Sequence, residues 1–267
     1  MKQVDVDIKK TQDVRNIIYS QKYGKVYFKT NEFLEELFKN VDLKDKDILT
    51  VLGSGDQSFL CYEKQAKSVD VFDVNRLAIY YYYLRIWVIE YLNQYYPDEC
   101  FDKKYIAKLL RLVKPKTDEE QLAYEYWNKY INTYFMGTHS LFYNTSGIPD
   151  VKISDLENIK SRTKKRDFNI YNVDISKPWD HDKKYDVIIT SNISDYVPRC
   201  IDDFNCYRDN LDCLLNDGGV VVCSKFSGHK ISSIEREVFK KTFVRRVFPK
   251  IWIHGQLESP GYSYKKR

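Results

Sequence analysis

The chain has 267 residues, 43% hydrophobic and 30% charged, and this length and composition are typical of a globular protein with a sizeable core. The formal net charge of +5 is modest, so it permits an anionic partner without requiring one. No segment combines the apolar length and the freedom from charge of a membrane span, and the first residues lack the apolar core of a secretion signal. We therefore expect a cytoplasmic protein without a transmembrane segment.

The cysteines and histidines do not indicate a metal site. None of the six cysteines forms a C-x-x-C pair, and no histidine lies near them at a zinc-ligand spacing. The four histidines are scattered and are predicted to be ordinary surface or core residues. We expect reduced thiols and no bound metal.

Residues 1–46 are polar and helix-prone, and they are predicted to form an N-terminal helical extension. Within "KTNEFLEELFKNV", Thr30 or Asn31 can cap a helix with one apolar stripe. The predicted elements then follow in the order strand 48–52, glycine turn, helix 58–67, strand 68–73 and long helix 76–95.

Between residues 97 and 165 the alternation of strand and helix stops, and helical spacing in "KKYIAKLLRLVK" and "DEEQLAYEYWNKYINTYF" predicts a mostly helical insertion. Strand patterns resume at "FNIYNVDI" and "YDVIITSNI", followed by a helix at 204–215, the turn "NDGG", the strand "VVVCSKF" and strand-like segments to the end. Short apolar strands that alternate with helices predict a single α/β domain over residues 1–267. Its mostly parallel sheet would have helices on both faces.

In such a sheet the ligand lies beyond the carboxyl ends of the strands, so the residues at those ends are the candidates. Gly53 and Gly55 in "GSGDQ" allow a sharp turn and a close backbone approach to a ligand. Asp73 follows Gly53 by 20 residues, the spacing at which an acid at the end of the second strand binds ribose hydroxyls. The alternative is a structural turn between strand and helix.

The glycine turn also predicts the kind of cofactor. A nicotinamide site would have a third glycine at Ser58, and the carboxylate of Asp56 would repel a pyrophosphate at the helix N-terminus. A ligand with a positive group and no phosphate fits better, and S-adenosylmethionine has a sulfonium and an ammonium group.

The segments "LTVLGSGDQ", "VFDVN", "NVDI", "YDVIITSNISDY" and "NDGGVVVCSKF" resemble the successive motifs of class I S-adenosylmethionine-dependent methyltransferases. The resemblance covers residues 45–75 and 167–226 and implies a Rossmann-like methyltransferase sheet with a C-terminal antiparallel strand. It implies that Gly53 and Gly55 line the methionine moiety, that Asp73 holds the ribose and that Asn75 lies beside the adenine. Asp174 would meet the adenine amino group, with Ile175 against the ring. The implied set is completed by the neighbouring Ser54, Asp56, Val74 and Ser191.

Two positions depart from the motif: Gly53 stands where many members have an acid, and Gln57 replaces the usual third glycine. Asp56 is expected to take over part of the missing acid's role. A more distant similarity, from "GSGDQ", "FDVN" and a long aromatic helix, is to the aminocarboxypropyl transferases of betaine-lipid synthesis, which transfer a different carbon chain from the same cofactor.

The loop "SNISDY" after the fourth strand is expected to face the reactive carbon, where Asn192, Asp195 and Tyr196 could orient an acceptor or take its proton. The alternative is that Asn192 and Asp195 cap a turn. The loop is not of the Asn-Pro-Pro-Tyr type found in enzymes that methylate base amino groups.

The resulting hypothesis is a transferase that acts on a small molecule or a lipid headgroup. The aromatic helices at 76–96 and 118–135 would either wall the acceptor site or fill the core. One alternative is an RNA or DNA methyltransferase, for which the basic stretches 160–166 and 236–250 would form the binding surface. The other is a non-catalytic binding module that retains the fold.

Overall fold

The structure is a computed structural model of the chain. It describes residues 2–12, 26–30, 34–39, 41–97, 102–134, 142–143, 151–191, 193, 201–223, 245–246, 251–253, 256–258 and 262–265. No helix in these ranges is long and apolar enough to cross a membrane.

The described residues of the N-terminal part include two helices and one short strand. They are helix α1 (Gln3–Gln12), strand β1 (Val26–Tyr27) and helix α2 (Leu34–Phe38). Apolar residues on α1 and α2 are buried, which agrees with the single apolar stripe predicted for the second of them. Asp7 attaches α1 to the body of the protein, because its carboxylate accepts a hydrogen bond from the Tyr80 hydroxyl at 2.7 Å.

The first strand–helix–strand unit lies close to its predicted position. It consists of strand β2 (Asp47–Val51), helix α3 (Asp56–Glu63) and strand β3 (Ser68–Phe72). Helix α3 begins two residues earlier than predicted and ends at Glu63. Gln65 follows in the left-handed conformation, and the backbone N–H groups of Gln65 and Ala66 bond back to the last turn.

The next unit contains the long aromatic helix and the predicted insertion. Helix α4 (Arg76–Trp87) continues as a π-helical turn (Val88–Leu92) and is followed by helix α5 (Lys103–Leu112). Helix α6 (Asp118–Lys129) continues as a second π-helical turn (Tyr130–Tyr134). Strand β4 (Phe142–Tyr143) and helix α7 (Leu156–Lys165) complete the unit. Side chains of Asp102, Thr117 and Asp155 cap helices α5, α6 and α7. The helical spacing of the insertion was therefore a correct guide to α5 and α6.

The second half returns to strand and helix. It contains strands β5 (Ile170–Tyr171) and β6 (Tyr185–Ser191), helix α8 (Ile201–Leu214), and strands β7 (Leu215–Cys223), β8 (Arg245–Arg246), β9 (Ile251–Ile253), β10 (Gln256–Glu258) and β11 (Tyr262–Lys265). The segment "NDGG", predicted as a turn before the strand, lies within β7. The register between β6 and β7 shifts there, so the extra residues are absorbed by an irregularity in the pairing.

Seven of the described strands form one sheet in the order β5-β3-β2-β6-β7-β11-β8, and the other four form the two-stranded sheets β1-β4 and β10-β9. The pairs among β5, β3, β2, β6 and β7 are parallel, whereas β11 is antiparallel to β7 and to β8. One buried apolar cluster joins helices α3 and α4 to the sheet, and a second contains α8 residues such as Tyr207 and Leu211. The predicted Rossmann-like sheet, mostly parallel and with helices on both faces, is confirmed.

Candidate functional site

The strand order places the candidate site between β2 and β6. The chain proceeds outward from β2 to β3 and β5, then returns to β6 on the other side of β2. At such a switch point the two connections leave in opposite directions, and a crevice opens beyond the carboxyl ends of the strands. Val51 and Ser191 are the last residues of β2 and β6, so the segments that follow them border this crevice.

Gly53 and Gly55 both adopt left-handed backbone conformations, with φ of +51° and +90°. Their surroundings differ. A Cβ on Gly53 would meet nothing closer than the Gln57 side chain at 3.8 Å, whereas a Cβ on Gly55 would lie 2.8 Å from the Tyr82 ring. Gly53 therefore leaves open space beside the backbone, and Gly55 allows helix α4 to pack closely against the turn.

Asp73 links the ends of β2 and β3. One carboxylate oxygen accepts the Gly53 N–H at 3.0 Å, and the other accepts the Asn75 N–H at 2.8 Å. Burial raises the pKa of Asp73 to about 6, although the backbone hydrogen bonds act in the opposite direction. The residue is only half-buried, and a carboxylate can accept about four hydrogen bonds, so acceptor capacity remains for a ligand.

Val74 and Asn75 continue from Asp73 into helix α4. The Asn75 side chain accepts the Leu77 N–H at 3.0 Å and so caps α4. The Asn172 side chain, from the segment after β5, donates to the carbonyl oxygens of Asp73 and Val74 at 2.9 and 3.1 Å. The sequence did not single out Asn172, which fixes the backbone of this loop from the neighbouring strand end.

Asp174 and Ile175 follow β5 and differ in their surroundings. Asp174 accepts the backbone N–H and the hydroxyl of Ser176, at 3.2 and 2.6 Å, and thereby forms a local turn. Ile175 is 2% exposed and belongs to the apolar cluster that includes helix α8. The contact of Ile175 with an adenine ring remains a prediction.

Ser54 and Asp56 point into the protein, which corrects the prediction that Asp56 faces a cationic ligand. Asp56 forms a fully buried ion pair with Arg85, with 2.6 Å between the carboxylate and the guanidinium nitrogen. The other Asp56 oxygen accepts the Ser54 hydroxyl at 2.8 Å and the Thr30 N–H at 2.6 Å. The charge of Asp56 is therefore compensated within the protein.

Arg85 is the residue that the sequence argument missed. It lies in an otherwise apolar helix, is fully buried, and stacks near the rings of Phe59, Tyr95 and Tyr96, at 4.9, 4.6 and 4.6 Å. Burial opposes its charge, but the Asp56 carboxylate holds its pKa above the ordinary value. An arginine within an apolar helix requires a buried carboxylate as its partner, so the position of Arg85 in this helix could have predicted a buried ion pair.

The end of β6 is the other border of the crevice. Ser191 is buried and has a φ of +53°, which is uncommon for a residue with a Cβ. Such backbone strain is often found where a ligand is bound. The predicted catalytic residues Asn192, Asp195 and Tyr196 lie outside the described residues.

This arrangement does not favour a dinucleotide. The first-turn residues Asp56, Gln57 and Ser58 of helix α3 are buried, with exposures of 0%, 4% and 0%. A pyrophosphate would therefore meet a helix N-terminus whose first turn is closed to it. No group of three or more potential metal ligands occurs among the described residues. The crevice instead offers open backbone at Gly53 and a carboxylate at Asp73.

No protein-family model matches the chain, and the comparison with curated proteins gives no match. Among solved structures the chain is similar to the N-methyltransferase NodS from Bradyrhizobium japonicum WM9, with 12% identity over 87% of this chain and 91% of that chain and a TM-score of 0.43. It is also similar to ribosomal protein L11 methylase from Lactobacillus delbrueckii subsp. bulgaricus (15% identity, 88% and 76% covered, TM-score 0.39). A third similar structure is magnesium protoporphyrin IX methyltransferase from Synechocystis PCC 6803 with bound SAM (10% identity, 100% and 85% covered, TM-score 0.41).

Proposed function

We propose that this protein is a transferase that uses S-adenosylmethionine and transfers its methyl group. The carboxylate of Asp73, which bridges Gly53 and Asn75 across the ends of two adjacent strands, is the observation that carries the proposal. This carboxylate lies beside the switch point of the sheet, next to open glycine backbone, and its acceptor oxygens support binding of ribose hydroxyls there. The resemblance of the motifs to class I methyltransferases supports the same assignment.

In this proposal the protein contributes position and environment. A bound S-adenosylmethionine supplies an electrophilic carbon on a sulfonium, which becomes a neutral thioether when it leaves. In the transfer that this cofactor would support, the acceptor's lone pair would form the new bond to carbon, the carbon–sulfur electron pair would pass to sulfur, and the acceptor's proton would go to a base or to water. Because the leaving group is already good, orientation by Asp73 and the glycine turn can supply most of the acceleration, through effective molarities up to roughly 10⁵ to 10⁸ M.

The acceptor in this proposal is a small molecule or a lipid headgroup. Tyr80 to Tyr83 of helix α4 are at most 4% exposed, so these tyrosines fill the core and do not wall an acceptor site. We place the acceptor instead at the β6 side of the crevice, beyond Ser191, where the segment with Asn192 begins.

A nucleic-acid acceptor receives less support from the described residues. In the basic stretch 160–166, Arg162 donates to the carbonyl oxygens of Ala66 and Lys67, and Arg166 pairs with Glu90 and Glu120. Those two cations therefore hold helix α7 in place. The second basic stretch, 236–250, lies almost entirely outside the described residues.

Calorimetric titration of the purified protein with S-adenosylmethionine and with S-adenosylhomocysteine tests the proposal. We expect saturable binding of both, lost in Asp73→Ala. Absence of binding to folded protein would refute the transferase assignment and favour the non-catalytic binding module. The by-product distinguishes the transferred group, because methyl transfer releases S-adenosylhomocysteine and aminocarboxypropyl transfer releases methylthioadenosine.

A further inference from the structure

The glycine turn is attached to a buried pair of charges. Arg85 and Asp56 are both 0% exposed and lie 2.6 Å apart. Charged side chains are almost never buried completely, and replacing such a pair by neutral residues is often harmless to stability. The burial of this pair therefore requires a reason other than a contribution to stability.

Its hydrogen bonds converge on Ser54, the residue between the two glycines. The Arg85 guanidinium donates to the Ser54 carbonyl oxygen at 2.9 Å, and the Ser54 hydroxyl donates to Asp56 at 2.8 Å. Both the backbone and the side chain of Ser54 are thus held by the same ion pair. Glycines that flank it permit the left-handed conformation but do not select it, so a selecting contact is needed.

The pair also joins the turn to two distant segments. The Thr30 N–H donates to Asp56 at 2.6 Å, which attaches residues 26–30 of the N-terminal extension. Tyr95, which follows the first π-helical turn, donates its hydroxyl to Asp56 at 2.8 Å and accepts from Arg85 at 3.1 Å through its carbonyl oxygen. Four segments of the chain therefore meet at one carboxylate.

We propose that Asp56 and Arg85 are positioning residues, which hold the glycine turn in the conformation that binds the cofactor. This inference rests on the proposed function, because the ligand of the turn is taken to be S-adenosylmethionine. In this role Arg85 acts through Ser54 and never touches the cofactor.

The test compares two neutralised ion pairs. In Asp56→Asn/Arg85→Met the asparagine can still accept from Ser54 and Thr30 and can donate to the Tyr95 hydroxyl. The matched control is Glu90→Gln/Glu120→Gln/Arg166→Met, which neutralises the Arg166–Glu120 ion pair together with Glu90, the second carboxylate of Arg166; the three side chains are 3%, 0% and 12% exposed. Circular dichroism and chemical denaturation establish folding, and calorimetry gives the dissociation constant of S-adenosylhomocysteine.

We expect the Asp56/Arg85 variant to bind S-adenosylhomocysteine at least about tenfold more weakly than the wild type, because a misplaced site loses much of its oriented contact. The control variant should bind like the wild type. Equal affinity of the wild type and the folded Asp56/Arg85 variant would overturn the inference and leave the proposed function intact. A wild type that binds no cofactor would refute the proposed function itself.

A second variant keeps the test decisive if the double substitution does not fold. Arg85→Lys retains the charge opposite Asp56, but its single nitrogen cannot replace both guanidinium nitrogens, which reach Ser54 and Tyr95. We expect folded Arg85→Lys to bind S-adenosylhomocysteine about threefold or more weakly, an intermediate loss because one donor of the fork remains. Wild-type affinity in this variant would overturn the inference.

Discussion

Cofactor affinity should depend on pH through Asp73. Burial raises its pKa to about 6, whereas the ordinary value is 3.8. Only the ionised carboxylate can accept hydrogen bonds from both ribose hydroxyls, so a ligand must displace a proton when the site is protonated. Below about pH 6 the dissociation constant should therefore rise by up to about tenfold for each pH unit, and above pH 7 it should be constant.

The same shift fixes the sign of the effect on folding. A raised pKa means that the folded chain binds the Asp73 proton more tightly than the unfolded chain. This group therefore contributes stability below about pH 4 that is lost as the pH rises through about 6. At neutral pH the ionised carboxylate costs about 3 kcal/mol, from a difference of about two pKa units. Ribose hydroxyls that donate to it would offset part of this cost, which favours binding.

Calorimetric titrations with S-adenosylhomocysteine between about pH 5 and pH 8, in buffers of different ionisation enthalpy, give both the affinity and the number of protons released. Asp73→Asn is the control, because it keeps the shape of the side chain and does not titrate. The reasoning would be refuted by a wild-type affinity that is flat across this range, or by the same pH dependence in Asp73→Asn.

Two further predictions concern folding stability, and urea denaturation measures both. Gly55→Ala should destabilise more than Gly53→Ala: both introduce left-handed strain of about 1–2 kcal/mol, but only the first also overpacks against Tyr82, by about 1–3 kcal/mol. Equal losses would contradict the close helix packing at Gly55. Tyr185→Phe should lose about 1–3 kcal/mol, because the Tyr185 hydroxyl donates at 2.9 Å to Asp70, whose carboxylate is 1% exposed. A loss within error of zero would contradict this expectation.

The parts of the fold that depend on local pattern could be predicted from the sequence. The apolar runs of β2 and β3, the glycine turn between them and the acid 20 residues after Gly53 all lie within one short segment. The Gly53 N–H donates a hydrogen bond to Asp73, and the 20-residue spacing alone predicts that these two residues lie at adjacent strand ends. Helices α5 and α6 could also be predicted from the sequence, because their caps and their helical spacing are local features.

The parts that depend on distant partners could not be predicted in the same way. Asp56 was interpreted as a charge directed at the ligand because its partner, Arg85, is 29 residues away, in the long aromatic helix. Likewise the burial of Ile175 depends on helix α8, which follows it by more than 25 residues in the chain. In both cases the local sequence indicates the backbone conformation, whereas the direction of the side chain depends on tertiary packing.

The most direct test of the central claim is a crystal structure of the protein grown with S-adenosylhomocysteine. The account predicts density for the ligand beyond the carboxyl ends of β2 and β3. The ribose hydroxyls should lie within hydrogen-bond distance of the Asp73 carboxylate, and the homocysteine moiety should lie along the Gly53 backbone. Density for the ligand elsewhere on the protein, with Asp73 uncontacted, would contradict the proposed site.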